Sequence, residues 1–197
     1  MARTRRALAE AAGRLFLAKG YDATTVEDIA AAAEVSPRTF FRYFEHKDGV
    51  VTALAQLGIG DVLQAFARRV SRQPVGEALR DAVADVLRAG PLGSADRVPE
   101  EGRAFLALLR RTPALRSRWL DEIHQQQPVV ASVLQQHVPA LADDPDAARV
   151  AAGAVLAAMI TAVEDWSAGD ARSPAEALDR YLGVLARPLL PGTGGSC

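Results

Sequence analysis

The stretch that decides the fold is Thr24-Thr25-Val26-Glu27-Asp28-Ile29-Ala30-Ala31-Ala32-Ala33-Glu34-Val35-Ser36-Pro37-Arg38-Thr39-Phe40-Phe41-Arg42-Tyr43-Phe44-Glu45-His46-Lys47. It predicts two short helices joined by a tight turn. Thr25 caps the first helix, and Asp28 three residues on closes a capping box. Val26, Ile29, Ala30 and Ala33 then fall on one buried stripe. The chain turns through Glu34-Val35. Ser36 caps the second helix, and Pro37 takes its first position, where a missing N–H costs nothing. Val35 and Phe40 are placed for a hydrophobic staple. Phe40 and Phe44, four apart, form the inner face, which leaves Arg38, Thr39, Phe41 and Arg42 outward. Basic and aromatic side chains on a helix after a tight turn meet the demands of a groove reader.

With the preceding helix, including Leu15-Phe16 and Gly20-Tyr21, this run resembles the DNA-binding half of the TetR family of transcriptional regulators. The resemblance begins near Arg5 and covers about a quarter of the chain. It implies that Arg38, Thr39, Phe41 and Arg42 face the major groove. Arginine suits the O6/N7 edge of guanine, and a ring edge or methyl suits the thymine methyl. Ser36 and Pro37, at the helix start, complete the DNA-facing set. Tyr43, Lys47 and Thr25 match family positions that grip phosphate. Two residues depart from the family pattern. Glu34 stands where glycine is common, so a positive φ there would strain it by roughly 1 kcal/mol. Phe41 stands where tyrosine is frequent, which leaves no phenol to bond phosphate. The Phe-Phe-Arg-Tyr-Phe run is a variant associated with actinobacterial members, some resembling acyl-CoA-responsive regulators.

The 197 residues, 49% hydrophobic and with formal net charge −1, suffice for a real core and exclude a polycation that coats nucleic acid. The first 50 residues carry eight bases against seven acids, so placement of charge matters more than its sum. Arg3, Arg5 and Arg6 fit either an arm toward the DNA backbone or a disordered basic start. A single cysteine, Cys197, excludes an internal disulfide framework and fits a reducing cytoplasm. The longest apolar run, Val150 to Ile160, is too short to span a bilayer, and no membrane partner is expected.

The expected fold class is all-α, with about nine helices. A three-helix helix-turn-helix unit spans 1–47, a ligand-binding and dimerisation domain 48–190, and a flexible tail 191–197. Helix starts are set at Thr4, near Lys47, at Pro74, Glu100, Pro113, Asp144-Pro145 and Ser173-Pro174. A loop is expected from Gly90 to Pro99, and the Pro113 helix continues to Val138 with a kink at Pro128. Gly58 and Gly60 in helix four suit either a weakened helix or a loop.

The family resemblance implies a homodimer made by the last two helices and a ligand pocket inside the bundle. The helix from Val150 to Val163 is apolar almost all round, so it needs cover on several sides. Ala151, Ala154, Val155 and Ala158 are its candidate dimer contacts; a central helix of a monomeric bundle is the alternative. Phe105, Leu109, Trp119, Ile123, Met159, Val163 and Trp166 are candidate pocket residues, equally suited to an ordinary core. His124 and Gln127 could orient a ligand's polar end. The three histidines lie far apart, and neither a metal-ligand spacing nor a nucleophile motif occurs, so no catalysis, metal or cofactor is expected. The expected function is a repressor released from a palindromic double-stranded DNA operator by a small apolar or amphipathic effector, an acyl-CoA among the candidates. The alternative is a helical small-molecule-binding or structural dimer without DNA binding.

Overall fold

The computed structural model describes residues 2–89 and 98–185. Most of the loop expected at Gly90–Pro99, the end of the last helix and the tail lie outside them. Among the described residues there are ten α-helices and no strand, as the composition implies. The order is α1 (Ala2–Lys19), α2 (Val26–Ala32), α3 (Pro37–Phe41), α4 (Gly49–Ala67), α5 (Val75–Ala89), α6 (Val98–Arg111), α7 (Pro113–Gln125), α8 (Gln127–His137), α9 (Pro145–Ala168) and α10 (Pro174–Leu185). A short 3-10 turn, Pro139–Leu141, links α8 to α9.

The boundaries follow from local chemistry. Gly20, at φ +89, ends α1 and donates its N–H to the Phe16 carbonyl at 3.0 Å. Asp144 caps α9 by accepting from the Ala147 N–H at 2.9 Å, and Gly169 at φ +97 ends it. The long helix expected from Pro113 to Val138, with its kink at Pro128, is broken into α7 and α8 at Gln126. Pro128 supplies no N–H, and a proline ring crowds the carbonyl four residues back, so the first helix finishes before it. Counted as one bent rod, α7 and α8 restore the expected nine.

Helix α4 runs unbroken through Gly58 and Gly60, which settles the choice between helix and loop. It also joins two cores. Val50, Val51, Ala53 and Leu54 pack with Leu8, Phe16, Ile29, Phe40 and Phe44 of α1–α3. From Ala55 onward, Ile59, Val62, Ala65 and Phe66 pack with α5, α8, α9 and α10. Phe105, Leu109 and Leu115, from α6 and α7, belong to the first core. The two cores part within α4, beyond residue 47, and the N-terminal one is completed by later helices. Two ion pairs add to this joint, Arg6 to Asp61 at 3.7 Å and Arg118 to Asp48 at 2.6 Å.

By length and composition alone, α4 and α9, the latter extending well past the Val150–Ile160 run, could each cross a bilayer, a test that the core helix of a soluble protein also passes. Helix α4 is largely enclosed by its neighbours. Helix α9 packs on α8 and α10 yet leaves Val150 69% exposed.

Candidate nucleic-acid interface and internal cavity

The capping box of α2 forms as the sequence implies. The Thr25 Oγ1 accepts from the Asp28 N–H at 3.1 Å, and the Asp28 carboxylate accepts from the Thr25 N–H at 2.9 Å. Lys19 also bonds Asp28, and its ammonium, followed by the Thr25 hydroxyl and N–H, holds that carboxyl well below the usual carboxylate range. After Ala33 the chain makes a left-handed turn. Glu34 sits at φ +55, its N–H donates to the Ala31 carbonyl at 3.0 Å, and the Val35 N–H donates to Ala30 at 2.9 Å. The strain anticipated for a non-glycine residue is therefore present.

That turn directs α3. Ser36 Oγ accepts from the Thr39 N–H at 3.2 Å and lies 3.1 Å from the Thr39 hydroxyl, so the two side chains hold each other. Phe40 is fully buried and Phe44 nearly so, with ring centroids 5.4 Å apart. Anchoring these two rings leaves Pro37, Arg38 and Arg42 exposed and Phe41 56% exposed. Phe41 meets the edge of Phe40, and Arg42 lies 5.1 Å from the centroid of the Tyr43 ring. Neither Arg38 nor Arg42 has an ion pair among the described residues. Two exposed guanidinium groups thus flank an exposed ring on an anchored turn of helix, an arrangement fit to probe base edges.

Lys47, expected at a phosphate, is engaged within the protein. Its Nζ donates to the carbonyls of Tyr21, Thr24 and Asp22 at 2.7, 3.0 and 3.3 Å, and lies 4.2 Å from the centroid of the Tyr21 ring. An ammonium has three donors, and all three are engaged within the protein. Lys47 ties the α3–α4 connection to the α1–α2 turn.

An internal cavity of about 130 Å³ opens among α4, α5, α6, α7 and α9. That is roughly ten times the space a single water requires. Of the expected pocket residues, Phe105, Trp119, Ile123, Met159 and Val163 line it. The rest do not. Leu109 is in the N-terminal core, and Trp166 is buried behind Gly102, where a Cβ would lie 3.7 Å from its ring. His124 is exposed, and Gln127 donates its amide to the Arg149 carbonyl at 2.8 Å. His124 lies beside the Trp119–Ile123 stripe of α7 rather than on it, and Gln127 follows the break at Gln126. Lining residues missed in the sequence come mostly from α4 and α5: Leu54, Ala55, Gly58, Ile59, Val62, Val83 and Val86. Every lining residue is apolar or glycine.

A buried polar group beside this wall is one that the sequence analysis does not single out. Glu122 on α7 is 5% exposed, and its Oε1 accepts from Gln56 of α4 and Gln126, both at 2.7 Å. Its place one turn beyond Trp119, on the inner stripe, was the available signal. On α7, Trp119 and Ile123 face the cavity, while their neighbours Arg118 and Glu122 hold Asp48 and Gln56 of α4.

Comparison with known proteins agrees with this geometry. The family model for bacterial regulatory proteins of the tetR family matches residues 8–54, and that for the MftR C-terminal domain matches residues 73–190. The chain belongs to the TetR family. The first match ends at Leu54, where the N-terminal core leaves α4. Among curated TetR-family relatives, TcmR of Streptomyces glaucescens, a transcriptional regulator, is 36% identical over 67% of this chain and 59% of its own length. DhaR of Mycobacterium sp. (strain GP1), a transcriptional repressor, is 38% identical over 42% of this chain and 38% of its own. The chain thus spans less than two thirds of the curated relatives it matches. Among solved TetR-like structures, FadR of Thermus thermophilus, in complex with lauroyl-CoA, covers 98% of both chains at TM-score 0.62 and 22% identity. FadR of Bacillus halodurans covers 93% of this chain and 95% of its own at TM-score 0.55 and 18% identity. These two likenesses establish the fold.

Proposed function

We propose that the protein is a cytoplasmic, homodimeric, sequence-specific DNA-binding regulator, a repressor that an apolar or amphipathic effector releases from a palindromic operator. The observation that carries this reading is the α3 face, where Arg38, Phe41 and Arg42 stand exposed on a turn anchored by Phe40 and Phe44. In it, Arg38, Thr39, Phe41 and Arg42 face the base edges, and Thr25, Ser36, Pro37 and Tyr43 set the approach to the backbone. The effector occupies the cavity, for which acyl compounds are first choices because its wall is wholly apolar. Coupling runs through α7, whose adjacent residues touch the cavity and grip α4. Dimerisation uses α9 and α10. Selection of binding sites from random duplex DNA tests the reading. It should enrich a near-palindrome whose half-sites lie about one helical turn, 34–36 Å, apart. An unenriched pool would refute it.

A further inference from the structure

The apolar cavity has a second, smaller space behind it. Four side chains, Ile59 and Val62 of α4 with Leu156 and Met159 of α9, line both the cavity and a void of about 10 Å³. The two succeed one another along the same pair of helices. On α4 the cavity begins at Leu54 and the void ends at Phe66, which is about 18 Å of helix axis. On α9 the matching span runs from Val163 back to Val155, about 12 Å. Beyond the shared four, the void is walled by Phe66, Leu79, Val130 and Leu134, all buried.

The chemistry of the wall does not change from one space to the next, since every residue lining either is apolar or glycine. The void is at the limit for a single water and offers it no polar partner, so it stays dry. An apolar group entering it gains packing contacts and displaces no hydrogen-bonded solvent. Its size admits the end of a chain and no ring. Of the four shared side chains, three are branched, and Ile59 and Val62 are stiff at χ1 in a helix. Met159 alone is unbranched, with three rotatable bonds. It is also only half-buried, whereas Ile59, Val62 and Leu156 are buried.

We propose that Met159 is a gate between the two spaces, and that the effector carries an unbranched hydrocarbon chain whose end passes Met159 into the void. This rests on the effector reading above and specifies its chemistry. Chain length is read at Met159, and the void fixes the longest chain that still gains affinity.

The test is titration of tryptophan emission, with Trp119 in the cavity wall, using hexanol, octanol, decanol, dodecanol and cyclododecanol. In the native protein each added methylene should tighten binding by roughly fourfold as far as dodecanol, the value for one buried methylene. Cyclododecanol, whose ring cannot enter the void, should bind at least about tenfold more weakly than dodecanol. Met159→Ile conserves volume and stiffens χ1, and Val155→Ile adds one methylene to the wall of the void but not of the cavity. In both variants the gain should stop short of dodecanol, while hexanol binds as in the native protein. Both changes are conservative, and melting curves check that the variants fold. The same length limit in all three proteins, variants that shift every alkanol alike, or a ring that binds as tightly as the chain would overturn the gate. Operator binding, measured on the same preparations by anisotropy, keeps the readings apart. Alkanols that bind without these length limits sink the gate alone, and no binding by any alkanol sinks the effector with it. No operator binding by the native protein sinks the regulator itself.

Discussion

Glu34 holds a left-handed conformation that an L side chain resists, at the one point where α2 must turn into α3. Glu34→Gly should relieve it and stabilise the protein by about 1 kcal/mol in urea unfolding, with DNA affinity retained. An unchanged midpoint would mean that the turn is not strained. Lys47 invites a sharper measurement, because its two readings differ in kind. Engaged with three carbonyls, it should destabilise the fold by at least about 1.5 kcal/mol when changed to Met, through loss of charged hydrogen bonds. A phosphate contact would instead leave stability intact and lower the salt slope of DNA binding by about one unit. Asp28 adds a pH dependence. Its carboxyl is depressed in the folded state by Lys19 and then Thr25, so its contribution is present above the ordinary value of 3.8 and is lost as pH falls below it. Asp28→Asn should therefore lower stability at neutral pH and flatten the acid limb of the stability profile. A parallel downward shift at every pH would show that the ion pair contributes nothing.

Helices were legible where punctuation is local, and sites were legible where they lie within one helix. Caps at Thr25 and Ser36, proline at the first position and aromatic spacing place α2, α3, α9 and α10 because each acts over four residues or fewer. The break at Gln126 was read as a kink because a proline signals that a helix is disturbed without saying which side yields. The cavity was half legible for a related reason. Trp119 and Met159 lie on stripes visible in one helix, whereas Gly58 enters the wall only through the packing of α4 on α5 and α7. Gly58 and Gly60 now form a matched pair on α4. A Cβ at either meets nothing within 4 Å, but only Gly58 lines the cavity. Each alanine variant should raise stability by about 1 kcal/mol from helix propensity. Only Gly58→Ala should weaken binding of dodecanol, measured by tryptophan emission. Equal loss in both variants would assign the effect to stiffening of α4 rather than to volume.

Over the whole molecule, burial revises which face of α9 is available to a partner. Ala158 is 6% exposed and Val155 packs into the bundle, so neither is free. Val150, Ala154, Ala157 and Thr161 follow a helical stripe on the open side, and Val150 and Ala157 are exposed. Ala157→Arg should split the dimer with helicity intact, and Ala158→Arg should unfold the subunit, as sedimentation and circular dichroism would report. A folded dimer of the Ala157 variant would place the interface elsewhere. The core shared along α4 bears on how such proteins are recombined. Phe105, Leu109 and Leu115 stand some fifty residues and more beyond the last helix of the DNA-reading unit, yet they close its interior. A chimera that joined this N-terminal segment to a relative's bundle would inherit a foreign plug for that interior. Its readout would depend on whether the donor carried side chains of the same volume on α6 and α7. The α3 face is thus transferable only as a pair of separated sequence blocks, and a junction at either end of α4 would cut across one packed surface.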